Sequence, residues 1–133
     1  MMNEAVVEIA MDADGVFVGF VEGVLRETKK ITGQEIDPDR LTTWDIFTAL
    51  EEMTGHAGLR PRLLNAVAEP DFCRKLPPRP GADEALRELL ELERANQIHL
   101  TIITSPWRSS RTWMYERTLW FTKRGLDASR VIH

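Results

Sequence analysis

An apolar run, Val6-Val7-Glu8-Ile9-Ala10-Met11, stops at Asp12-Ala13-Asp14-Gly15. It is short, rich in β-branched residues and closed by turn formers, so residues 5–11 read as a buried strand. Two carboxylates spaced i, i+2 at a strand end aim at one point. Held that close they repel, unless a proton or a cation joins them. A hard divalent cation such as Mg2+ is the natural shared ligand, because it prefers carboxylate oxygen. The competing reading is conformational, since Asp-x-Asp-Gly is also good turn chemistry.

The rest of the chain supplies helices and a second strand. Phe17, Phe20, Val21, Val24, Leu25 and Thr28 fall at helical spacing over residues 16–32, and Gly33 closes that helix. Thr43 is positioned to cap a helix running to Thr54, ended by Gly55. A short helix over 58–68 precedes an extended connection punctuated by Pro70, Pro77, Pro78 and Pro80. Residues 81–95 form a helix with a stripe of Ala85, Leu86, Leu89, Leu90 and Leu92. Ile98–Ile103 is a second buried strand, ended by Thr104-Ser105-Pro106. Ser109 or Ser110 opens a helix over 110–124, ended by Gly125, and Arg130–His133 begins a third strand. The alternation predicts an α/β domain with a parallel, Rossmann-like sheet. Ligands of such sheets gather outside the carboxyl ends of the strands. Neighbouring parallel strands would bring Asp12 and Asp14 to the same ligand as Thr104 and Ser105.

The 133 residues are the length of one domain, and no apolar run approaches the ~20 residues of a membrane span. The N-terminus lacks the basic-then-apolar pattern of a secretion signal. Cys73 is the only cysteine, which fits a reducing cytoplasm, and it reads as a small buried residue. Net charge is −4, but residues 100–133 hold six cations against Glu116 and Asp127. A basic C-terminal third in an acidic protein suits a small phosphate or a solvated helix face. The whole is too acidic for nonspecific binding of a nucleic acid polymer.

Phosphoryl transfer needs a nucleophile, charge neutralisation and a proton donor. Asp12 is the candidate nucleophile, forming an acyl-phosphate that water later cleaves. Asp14 is placed to protonate the leaving oxygen and then to activate water. Thr104 and Ser105 offer hydroxyls and backbone N–H groups to phosphate oxygens; their alternative reading is a plain strand-to-helix turn set by Pro106.

These residues carry a resemblance. Asp12-Ala13-Asp14-Gly15-Val16 after an apolar strand resembles motif I of the haloacid dehalogenase superfamily, in its phosphatase branch. Leu100-Thr101-Ile102-Ile103-Thr104 resembles motif II. Thr104-Ser105-Pro106, Glu116-Arg117 and Trp120 are similar to the Thr-Ser-Pro, Glu-Lys and Trp pattern of 5'(3')-deoxyribonucleotidases. Asp71-Phe72 and Pro78-Arg79-Pro80-Gly81-Ala82 resemble the segment returning from that family's cap. The resemblance implies one domain, with a core of about residues 1–19 and 76–133 and a helical cap over about 20–75. It implies Mg2+ held by Asp12 and Asp14, and a nucleoside monophosphate or another small phosphate ester as substrate. Thr104, Ser105 and Arg117 would hold the phosphate, Arg117 replacing a lysine with a fork. Phe20, Trp44 and Phe72 would form the substrate pocket.

The resemblance also implies a motif III lysine and motif IV aspartates, which would lie beyond His133. Lys123, Arg124 and Asp127 do not match them. The expectation is a Val6–Met11 strand with an open edge. Three arrangements follow: a truncated product, completion by a C-terminal segment or a second copy, or a homologue acting only as a nucleotide-binding or interaction module. Trp113, Trp120 and Phe121 read as core packing on the 110–124 helix. Trp107 either borders the site or covers the helix start. His56, His99 and His133 lack metal-ligand spacing.

Overall fold

A computed structural model describes residues 5–133. Three parallel strands lie in the order β1 (Val7–Asp12), β2 (Ile98–Ile103), β3 (Val131–Ile132). In register, Ile9 faces Leu100, Met11 faces Ile102, and Ile102 faces Val131. Between β1 and β2 run α1 (Phe20–Thr32), α2 (Ile46–Thr54), α3 (Leu59–Ala68) and α4 (Ala82–Arg94); α5 (Trp113–Thr122) joins β2 to β3. The protein is α/β, as its element alternation predicts.

Right-handed crossovers between successive neighbours place α4 and α5 on one sheet face. Burial follows that layering. Ile98, Leu100, Ile102 and Val131 are buried under the helices. The alternate row of Glu8, Ala10, Asp12, His99, Thr101, Ile103 and Ile132 is exposed or half-buried. The expectation of two fully buried strands is corrected: Val7, at the start of the edge strand β1, is 57% exposed, and Ile103, on the open face of β2, is 51% exposed. Within the described residues one face of β1 has helices and its outer edge has no strand, so its apolar run is only half used.

Other boundaries differ from the sequence reading for local reasons. The first helix starts at Phe20, not residue 16, because residues 13–19 close a tight loop. There Phe17 and Val18 N–H groups both donate to the Ala13 carbonyl, and Gly15 sits at φ 77°. The cap of α2 is Asp45, not Thr43: Asp45 accepts from the Thr48 N–H at 3.1 Å and the Thr48 hydroxyl at 2.7 Å. The last helix opens at Thr112, three residues into the expected span, after a turn in which the Ser110 N–H donates to Trp107.

Helices α1, α2 and α3 pack through Val24, Phe47, Leu50, Leu59, Leu63 and Val67, which are all buried. They join the sheet through two crossing segments. The Gly19 N–H donates to the Pro77 carbonyl at 2.7 Å, and the Arg79 N–H donates to the Phe17 carbonyl at 2.8 Å. Among the described residues no helix is long and apolar enough to cross a membrane.

Candidate active site

The two acidic positions stand on either side of Ala13, which is wholly buried and anchors the turn. Asp12 ends β1, and its Oδ1 accepts the Ala13 N–H at 2.8 Å. Asp12 lines a cleft of about 290 Å³ together with Met11, Ile103, Thr104 and Ser105. That cleft exists because Asp12 and Ile103 are register partners, which puts the residue after each at the same sheet end.

Asp14 lines a second cavity, of about 850 Å³, between the sheet end and α1–α3. Phe20, Phe47 and Trp107 give that cavity an aromatic lining, with ring centroids 5.9 Å apart for Phe20–Trp107 and 5.7 Å for Phe47–Trp107. Trp44 stands at its margin, fully exposed. Trp107 thus borders the site. Phe72 does not line the cavity. It packs behind Phe20 at 6.4 Å and stacks on Trp113 at 6.4 Å, supporting the wall from outside.

Arg117 ties the two strand ends together. Its side chain is 0% exposed, yet one guanidinium nitrogen donates to Asp14 Oδ1 at 2.8 Å and the other to Thr104 Oγ1 at 3.3 Å. Its Nε reaches Cys73 Sγ at 3.5 Å, and its plane lies 5.2 Å from the Trp113 ring centroid. Burial opposes the arginine charge, but the Asp14 carboxylate and Cys73 more than offset it and hold the proton more firmly than usual. Burial pushes the Cys73 thiol up to about 11 despite the neighbouring arginine, so it is an inert neutral group near pH 7.

Glu116 beside it is buried and structural. It accepts the Arg74 N–H at 3.0 Å and the Thr112 hydroxyl. Trp113, Trp120 and Phe121 are core residues. Trp120 is fixed by an indole N–H donated to the Leu76 carbonyl at 2.8 Å. His99 pairs with Glu8 on the open sheet face, away from the strand ends.

One expectation at the second strand end needs correction. The Thr104 N–H donates to the Ile132 carbonyl at 2.9 Å, continuing the sheet, so it is not free for a phosphate. Thr104 keeps its hydroxyl hydrogen. The Ser105 N–H has no backbone or side-chain acceptor among the described residues, and Ser105 is exposed. The donors that face the cleft are thus the two hydroxyls and the Ser105 N–H, while Arg117, expected to hold the phosphate directly, is buried behind Thr104.

Asp12, Asp14, Thr104, Ser105 and Arg117 come together from positions far apart in the chain. Arg60, Arg79, Glu22 and Phe47 also line the large cavity, and the sequence reading did not single them out for it. Arg79 lies within a segment that carries the family resemblance, but nothing in its type marks it as cavity-facing. Helical phase alone does not separate Phe47 from core.

Among the described residues no three His, Cys, Asp or Glu side chains cluster as a metal site. Asp12 and Asp14 each keep one carboxylate oxygen free of a protein partner. Mg2+ commonly takes one or two carboxylates together with water and phosphate oxygens, and this donor set fits that habit. Neither protein-family models nor curated proteins give a match to this chain.

Proposed function

We propose that this protein is a Mg2+-dependent phosphomonoesterase of the haloacid dehalogenase type acting on nucleoside monophosphates. The observation that carries the reading is the buried Arg117 guanidinium, which touches Asp14 from one strand end and Thr104 from the next. A fully buried cation bonded to the Asp14 carboxylate and the Thr104 hydroxyl supplies, beside the strand ends, the positive charge that a dianionic ester requires.

In this reading the phosphate lies at the Thr104–Ser105 end, held by both hydroxyls and the Ser105 N–H, with the Arg117 charge buried behind Thr104. Asp12 attacks phosphorus, the ester bond to the leaving oxygen breaks, and an aspartyl phosphate forms. Asp14 gives its proton to the leaving oxygen, then takes one from the water that cleaves the acyl phosphate. Asp12 and Asp14 would hold Mg2+, which would supply the charge neutralisation for an anionic ester to approach a carboxylate. The rest of the substrate extends into the aromatic cavity, where Phe20, Phe47 and Trp107 offer faces for a planar base and Trp44 stands at the margin.

The test is release of inorganic phosphate from a panel of ribo- and deoxyribonucleoside monophosphates and simple phosphate esters with Mg2+. Asp12→Asn is the control. Release by the wild type that Asp12→Asn abolishes supports the reading. No release from any ester, by the chain alone or with a C-terminal segment supplied, sinks it.

A second reading is a nucleotide-binding module without catalysis. Two observations favour it: the Thr104 N–H is consumed by the sheet, and Asp14 is already paired with Arg117. It requires nucleotide binding that is indifferent to Mg2+ in calorimetry, with no turnover.

A further inference from the structure

The large cavity also presents an ion pair that the phosphatase chemistry leaves unused, Glu22 with Arg79. Both are rooted beside the Asp14 end. Glu22 is in the first turn of α1, and the Arg79 backbone is bonded to Phe17, two residues past Gly15. The far wall, by contrast, is built from α2 and α3 through Ile46, Phe47, Arg60 and Leu64.

The pair is held in place from both sides. Arg79 is fixed by its own N–H bond to Phe17. The Glu22 carboxylate lies over Gly19, where an added Cβ would stand 2.8 Å from Glu22 Oε2 and 2.9 Å from the Pro77 carbonyl. Glycine at 19 is therefore what leaves room for this carboxylate. Only Glu22 Oε1 and Arg79 Nη1 are engaged with each other. Glu22 Oε2 and Arg79 Nη2 have no hydrogen-bond partner among the described residues, and both side chains are partly exposed.

A free carboxylate oxygen next to a free guanidinium nitrogen matches a vicinal diol. One hydroxyl donates to the carboxylate, and its neighbour accepts from the guanidinium. Acidic side chains hold the ribose hydroxyls of bound nucleotides in the same manner. In a nucleoside monophosphate the sugar lies between phosphate and base, and this pair shares one cavity lining with Asp14 at the sheet end and with Phe20 and Trp107.

We infer that Glu22 and Arg79 read the 2'- and 3'-hydroxyls of the sugar, so the site favours ribonucleoside over 2'-deoxyribonucleoside 5'-monophosphates. The inference rests on the phosphatase reading for the place of the phosphate. It deepens that reading by naming the sugar. A site that hydrogen-bonds a hydroxyl through a charged group discriminates against the analogue lacking it by about tenfold or more.

The experiment separates the two claims by measuring binding without turnover. Tryptophan fluorescence, with Trp44 and Trp107 beside the cavity, follows titration with uridine, 2'-deoxyuridine, guanosine and 2'-deoxyguanosine. The wild type is expected to bind each ribonucleoside about tenfold tighter than its deoxy counterpart. Glu22→Gln keeps the shape, weakens the acceptor, and is expected to bring each pair to within about twofold. Arg79→Lys tests the fork in the same way, and thermal melts confirm that both variants fold. Equal or tighter binding of the deoxynucleosides overturns the inference, and so does no binding of any nucleoside. A ribose preference that survives in both variants overturns the assignment to Glu22 and Arg79. A purely structural latch predicts that the variants weaken ribo and deoxy ligands alike, which also overturns it. If ribonucleosides bind selectively while no ester releases phosphate, the phosphatase reading fails and the sugar assignment stands.

Discussion

Arg117 and Asp14 form the contact on which the site depends, and their coupling is measurable without any substrate. Arg117 is wholly buried, whereas Asp14 is 36% exposed. Removing one member of a fully buried pair strands the other charge and costs about 3–5 kcal/mol. Water reaches Asp14, so the electrostatic part is screened, and about half that value is the reasonable scale for Asp14→Asn, ~2 kcal/mol. Arg117→Met loses the Asp14 and Thr104 hydrogen bonds and the stacking on Trp113, while Met refills part of the volume. We expect a cost of about 3 kcal/mol. In the double variant there is no stranded cation and no stranded anion. It should cost about 3 kcal/mol, leaving a coupling of about 2 kcal/mol between the two sites. Urea unfolding of wild type, both single variants and the double variant closes the cycle. Additivity within about 0.5 kcal/mol would show that the two side chains are not energetically joined. The buried-cation argument for the site would then fall.

Three further outcomes follow from packing and charge. Gly23→Ala in α1 would ordinarily gain helix propensity, but its Cβ would stand 2.2 Å from Leu76 Cδ2. A net loss of about 1–3 kcal/mol is expected in denaturant melts, and a gain would refute the contact. The folded Cys73 thiol ionises near 11 against an ordinary value of 9.0, because burial favours the neutral form. The raised value means its contribution is intact below pH 9 and is lost as pH rises toward 11, by about 1.4 kcal/mol per pH unit. The stability difference between wild type and Cys73→Ala should therefore shrink across that window, and a difference independent of pH would contradict the burial. Trp44→Ala removes a fully exposed ring, so melting should move by less than about 0.5 kcal/mol equivalent. Nucleoside binding should weaken, and unchanged affinity would remove Trp44 from the pocket.

Much of this architecture is legible in the residues. The strand ends, the Gly33 and Gly55 caps, the leucine stripe of α4 and the strand at Ile98–Ile103 follow from period and turn chemistry alone. So does the meeting of Asp12 with Thr104, since parallel neighbours share a carboxyl end. Most of what escaped was decided by partners distant in sequence. Val7 and Ile103 look buried because β-branched residues in a row resemble a two-sided core strand, but Ile103 lies on the uncovered face and Val7 at the start of the edge strand. The Thr104 N–H looks like a phosphate donor until β3 claims it. Asp45 outcompetes Thr43 as a cap because the Thr48 hydroxyl adds a second bond to the same carboxylate. The Glu22–Arg79 pair joins the first turn of α1 to a residue 57 positions later, and no local pattern announces it.

The crossing of Phe17–Gly19 with Pro77–Arg79 has a consequence for how such a protein can change. The chain leaves the sheet and returns to it at touching points, so the helices between them form a loop whose ends are already joined. The entropy of closing a loop grows only as the logarithm of its length, and doubling the insert costs about 0.6 kcal/mol. Helices can be lengthened, shortened or exchanged between those two points with little penalty to the sheet that holds Asp12 and Thr104. If the phosphatase reading holds, the α1–α3 wall of the large cavity can drift on the exchangeable side of the crossing while Asp12 and Thr104 are retained on the fixed side.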